Sequence, residues 1–173
     1  METRQSVVTL SHLESCGIGK QYCGATLKEV PEVAAYRLKK VLKSEPPWFI
    51  YFQSFDFDLR YQVASILIKY AIRVGQRPFL LDREDTTKLF LSKDKDPILS
   101  NRELVCLELS NDSQPNQLEA RAVSRLISVR FRKGLSVVVL TPLQIFESSC
   151  SLDSYFGSQV AEIVEGKFYP IEE

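Results

Sequence analysis

YFQSFDFDLRYQVASILIKYAIRVGQ, Tyr51 to Gln76, begins as an apolar run and ends as a long amphipathic stretch. With Trp48 to Ile50 ahead of it, residues 48–52 form a continuous aromatic and β-branched run, the pattern of a strand buried on both faces. Further on, Val63, Ile66, Leu67, Tyr70, Ala71 and Val74 recur at helical spacing and make one apolar stripe. Asp58 is the expected N-cap of this helix and Gly75 its stop. Between strand and helix stands Gln53-Ser54-Phe55-Asp56-Phe57-Asp58-Leu59-Arg60, and no glycine occurs from Ala25 to Val74.

The flanking sequence repeats the alternation. Residues 1–30 read as irregular, punctuated by Gly17, Gly19 and Gly24. Pro31 opens a helix over 31–43, with Val33, Ala34, Leu38, Val41 and Leu42 at helical spacing, and Pro46-Pro47 stops it. A second strand is expected at 78–81, a charged loop over 82–96 and a third strand at 104–109. The turn Asn111-Asp112-Ser113-Gln114-Pro115 leads into a helix over 117–133, ended by Gly134, and a fourth strand follows at 137–140. One last helix over 151–165 and a short strand at 168–171 complete the chain. Apolar strands alternating with helices predict an α/β fold: one domain over 1–173 with a mostly parallel sheet covered on both sides.

Bulk composition narrows the function. The chain has 173 residues, 45% of them hydrophobic and 25% charged, as in a globular protein with one sizeable core. Lys+Arg and Asp+Glu both total 22, so any binding to nucleic acid has to come from a local patch. The absence of a signal-like N-terminus or a long apolar run predicts a cytoplasmic protein without membrane contact. Cys16, Cys23, Cys106 and Cys150 are scattered, which reads as reduced thiols. His12, Cys16 and Cys23 lack the fourth ligand and paired spacing of a zinc site, and with one histidine in the chain, His-based catalysis is not expected. No metal or other cofactor is predicted.

Several phrases resemble one family. Ser15-Cys16-Gly17-Ile18-Gly19-Lys20-Gln21-Tyr22 with Ala25-Thr26-Leu27, Val129-Arg130-Phe131-Arg132-Lys133-Gly134 before a strand ending in Thr141, and Tyr155-Phe156-Gly157 are similar to segments of the P-loop (AAA+) domain of bacterial replicative-helicase loaders of the DnaC/DnaI type and of the related IstB-like transposase helpers. The resemblance runs from about residue 15 to 170. It implies a three-layer P-loop NTPase-like fold of the AAA+/RecA type.

At the chemical positions the family pattern is missing. The resemblance places its phosphate loop, G-x-x-G-x-G-K-T, at Ser54-Phe55-Asp56-Phe57-Asp58-Leu59-Arg60-Tyr61. Glycines there let backbone N–H groups close around phosphate, and the hydroxyl holds Mg²⁺. Ser54, Phe57 and Leu59 stand at the glycine positions, Arg60 at the lysine and Tyr61 at the magnesium ligand. Asp56 and Asp58 would oppose a polyphosphate by on the order of 4 kcal/mol per charge pair before screening. Of the two acidic residues expected at the end of the third strand, Glu108 is present and Leu109 replaces the other. Pro142 follows Thr141 where the family often has asparagine, and Glu162 and Ile163 stand near the position of its sensor arginine. Neither the family's N-terminal helicase-gripping module nor the helical DNA-contacting structure between strands two and three is expected here. The expectation is a pseudo-ATPase rather than an enzyme.

The remaining candidates are contact residues. Arg121, Arg125 and Arg132 share a helical face, with Arg130 and Lys133 beside its end, and read either as a solvated face or as a contact for protein or phosphate. Arg130, with Arg132, is the arginine-finger-like candidate that the resemblance implies. Arg37, Lys39, Lys40 and Lys43 form a second basic patch. Phe55 and Phe57 are expected either to plug the vacated phosphate pocket or to present an aromatic patch to a partner. The leading expectation is a scaffold or regulatory subunit in DNA replication, recombination or mobile-element transactions, bound to a protein partner such as an active ATPase or helicase. A stand-alone DNA-binding module using the basic patches and a weak residual ATPase are the alternatives.

Overall fold

Five parallel strands in the order β2-β3-β4-β1-β5 make the single sheet of the computed structural model, which describes residues 8–92 and 103–172. The strands are β1 (Phe49–Gln53), β2 (Pro78–Leu81), β3 (Leu104–Glu108), β4 (Ser136–Thr141) and β5 (Tyr169–Glu172). The helices are α1 (Leu10–Ser15), α2 (Glu32–Leu42), α3 (Phe57–Arg73), α4 (Arg83–Leu91), α5 (Gln117–Arg132), α6 (Leu152–Phe156) and α7 (Ser158–Lys167), with a 3-10 turn at Lys20–Tyr22.

Strand period two splits the core into two layers. Ile50 and Phe52 of β1 pack with α2 and α3 on one face, against Ala34, Leu38, Val63 and Leu67. Tyr51 turns to the other face, with Val123, Ile127, Val160 and Val164 of α5 and α7. β3 and β4 are buried at every position, which is why they read as unbroken apolar runs. β1 and β4 pair in register from Phe49↔Val137 to Gln53↔Thr141, so their C-terminal ends lie side by side.

The expected strands occur within a residue of their predicted bounds, and several other segments differ. Residues 1–30 are not uniformly irregular: α1 and the 3-10 turn lie there, and Leu80 N–H of β2 donates to Cys16 O at 2.8 Å. Gly17 permits that approach, because its φ of +92° suits glycine and an added Cβ would meet Leu80 O at 2.9 Å. Pro31 is the N-cap of α2 rather than its first helical residue. The charged stretch after β2 is largely helical, as α4, because Asp82 accepts from Asp85 N–H at 2.7 Å and caps it; residues 93–96 of the expected loop lie outside the described residues. The last helix is two, α6 and α7, broken at Gly157 with φ +94°. Among the described residues no helix is long and apolar enough to cross a membrane.

Candidate functional site: a strand–helix junction and an arginine groove

The junction after β1 lies at the C-terminal edge of the sheet, where open α/β folds bind ligands. Three residues, Ser54, Phe55 and Asp56, separate β1 from α3. Asp56, not Asp58, caps the helix: its backbone is extended, its carboxylate accepts from Leu59 N–H at 3.2 Å, and its own N–H donates to Ser54 Oγ at 3.0 Å. The helix therefore begins two residues earlier than expected, and an internal carboxylate occupies the N-terminal position that attracts anions. Asp58 instead accepts from the Tyr22 hydroxyl at 2.5 Å, a bond that raises the phenol's pKa.

Arg60 and Glu108 meet beneath this loop. Their side chains are 4% and 4% exposed, and Glu108 Oε1 lies 3.0 Å from both Nε and Nη2 of Arg60. Nη1 donates to Ser54 O at 2.8 Å, so the guanidinium clamps the end of β3 to the residue that leaves β1. Burial raises the Glu108 carboxyl above its ordinary range and the neighbouring Arg60 pulls it back. Thr141 is likewise engaged: its hydroxyl donates to Leu109 O at 2.8 Å and accepts from Leu143 N–H at 3.1 Å. Pro142 and Leu109 are buried beside it.

Aromatic rings cover the loop. Tyr22 and Tyr61 stack with centroids 5.3 Å apart, and Phe57 lies 4.7 Å from Tyr61 and 5.5 Å from the Arg60 guanidinium carbon. Burial pushes the Tyr61 hydroxyl up to about 12. Phe55 does not plug the site, since it is 77% exposed; Phe57 is 50% exposed and half-covers it. Sequence reasoning missed Tyr22, whose signal was its place in the segment resembling the family's lead-in, and missed the pairing of Arg60 with Glu108.

Arg130 is not placed as a finger. It is 0% exposed and its Nε and Nη2 donate to Ser136 O at 3.3 and 3.1 Å, folding the side chain inward against β4. Burial lowers its pKa to about 10, which leaves it charged at neutral pH. The arginine-finger expectation for Arg130 is therefore corrected: the helix end turns that position into the core. Arg132, its companion in that expectation, is exposed and lies with Arg121 and Arg125 along a groove of about 550 Å³ between α4, α5, α6 and α7. Lys133 is exposed at the C-cap of α5. Arg37 reaches Pro170 O at 3.4 Å, while Lys39 and Lys40 are exposed on α2 and Lys43 at its C-cap. The two basic patches sit on opposite faces of the sheet, because α2 packs in one core layer and α5 in the other. Glu162 is exposed on α7, and Ile163 lines the arginine groove. Arg83, also unforeseen, pairs with Glu119 at 3.0 Å and donates to Ser113 O at 2.9 Å, fixing the segment after β3.

The fold has close counterparts among solved structures. A crystal structure of the DnaC helicase loader is similar over 89% of this chain and 99% of its own, with a TM-score of 0.70 and 16% identity. DnaI is similar over 89% and 93%, with a TM-score of 0.68 and 11% identity. AMPPCP-bound DnaA from Aquifex aeolicus gives a TM-score of 0.68 at 12% identity over 90% of this chain, which spans about 50% of that one. The architecture is thus the α/β, P-loop AAA+-like fold of helicase loaders and replication initiators. No family model matches the sequence, and no curated protein matches it.

Proposed function

We propose that this chain is a non-catalytic relative of the helicase-loader ATPases, serving as a scaffold or regulatory subunit in DNA replication or related DNA transactions through a protein partner. One observation carries the reading: the cation at the phosphate-loop lysine position and the acid at the metal-orienting position are spent on each other, as Arg60 and Glu108, 3.0 Å apart and buried. Opening that pair to admit Mg²⁺-ATP would strand two buried charges, each costing several kcal/mol to leave unpaired. Asp56 supports the same reading by holding the helix N–H that a phosphate would need.

Equilibrium dialysis of labelled ATP with Mg²⁺ tests the catalytic half. The expected result is no saturable binding at millimolar nucleotide and no phosphate release. Saturable binding, with hydrolysis lost in Glu108→Gln, would establish a residual ATPase instead. For the partner half, affinity capture is expected to return a replication ATPase or helicase, and recovery of nucleic acid alone would contradict it.

A further inference from the structure

The groove on the α5 face combines charge and apolar surface in one place. Arg121, Arg125 and Arg132 line it, and on an α-helix the eleven steps from Arg121 to Arg132 rise about 16 Å. Among the described residues no carboxylate lies within ion-pair distance of any of the three. Among the described residues the bonds fixing them are weak: Arg132 Nε donates to Ser128 O at 3.4 Å, and the Arg125 guanidinium carbon rests 5.8 Å from the Phe90 ring centroid. Phe156, Ile163 and Ala120 contribute apolar lining. The hydroxyl of Ser128, which also lines the groove, is buried without a hydrogen-bond partner among the described residues.

We propose that this groove receives an acidic, amphipathic segment of a partner protein, its carboxylates on the three guanidiniums and its apolar side chains against Ala120 and Ile163. Guanidinium forks match carboxylates in bidentate geometry, and Arg121 and Arg125, four residues apart, match acids at the same spacing on a facing helix. A nucleic-acid strand fits less well. Base stacking needs an open aromatic face; the Phe90 ring carries Arg125, and Phe156 is buried edge-on against Tyr155.

The assignment rests on the protein-partner reading above. Nucleotide binding would fail that reading, whereas loss of peptide selectivity would fail this one alone. The test is fluorescence anisotropy at low salt on the full chain with three labelled probes: an 18-residue amphipathic peptide with glutamates four apart and leucines on the adjoining face, its Glu→Gln counterpart, and an oligothymidine strand. The acidic peptide is expected to bind, with at least tenfold weaker binding for the neutral peptide and for the Arg121→Glu/Arg125→Glu protein. Because both arginines are exposed, that variant is expected to melt at the wild-type temperature, and Arg121→Gln/Arg125→Gln provides a milder second variant. Failure of the acidic peptide to bind, or binding indifferent to both variants, overturns the proposal. So does oligothymidine displacing the peptide and losing affinity in the same variants, which would make the groove a nucleic-acid site.

Discussion

Arg60 and Glu108 make a buried ion pair whose worth is best read by breaking it from one side and then from both. Removing Glu108 alone leaves a guanidinium in a nearly dry site, and Glu108→Ala is expected to cost roughly 3–5 kcal/mol in urea unfolding. Arg60→Met/Glu108→Leu removes both charges, so most of that loss is expected to return; a double variant as unstable as the single one would mean the pair is not the coupling element. Arg130 belongs to the same scale. Its guanidinium holds Ser136 O in the core, and Arg130→Ala is expected to destabilise the fold by about 2–4 kcal/mol through cavity and lost hydrogen bonds. An exposed finger would give almost no loss. The bulky Phe57 and Leu59 of the strand–helix junction were legible residue by residue, because side-chain size is written in the sequence itself. The inward turn of Arg130 was not, because nothing in a linear run tells a helix-end arginine that caps a partner from one that folds under its own strand.

Capping decides where the elements begin. Asp56→Ala is expected to lower stability by about 1 kcal/mol through loss of the α3 cap, whereas Asp58→Ala removes only the tyrosine contact. Matching far-UV helicity loss from both variants would refute the assignment. Asp82→Ala is expected to unwind α4 in part, seen as reduced helicity and faster amide exchange over residues 83–91. The strands were readable because their side chains are buried on both faces and leave no ambiguity of period. α4 was not: Arg83 to Leu91 carries two threonines and four charges with a weak apolar stripe, so only its capping aspartate announced it. The split between α6 and α7 turns on one backbone angle, at Gly157, which a periodic apolar pattern does not register.

At the scale of the whole molecule, the sheet separates the chemistry into three places: a closed loop at its C-terminal edge, an arginine groove over α5 and a lysine-bearing helix, α2, behind it. Their separation argues against one continuous basic surface. Lys39→Glu/Lys40→Glu is accordingly expected to leave acidic-peptide affinity unchanged in the anisotropy assay; a loss equal to that of the α5 variants would mean the two patches act together. The general architecture was legible from the alternation of apolar strands and helices, but the two-sided distribution of charge needed the sheet order. A site closed to nucleotide requires Arg60 to stay committed to Glu108. The most direct measurement is the side-chain Nε–H resonance of Arg60 in a nitrogen-15 NMR titration with Mg²⁺-ATP. The resonance is expected to stay in place and slow to exchange up to millimolar nucleotide; a saturable shift, absent with Mg²⁺ alone, would show that the pair opens to admit phosphate and would contradict the closed site.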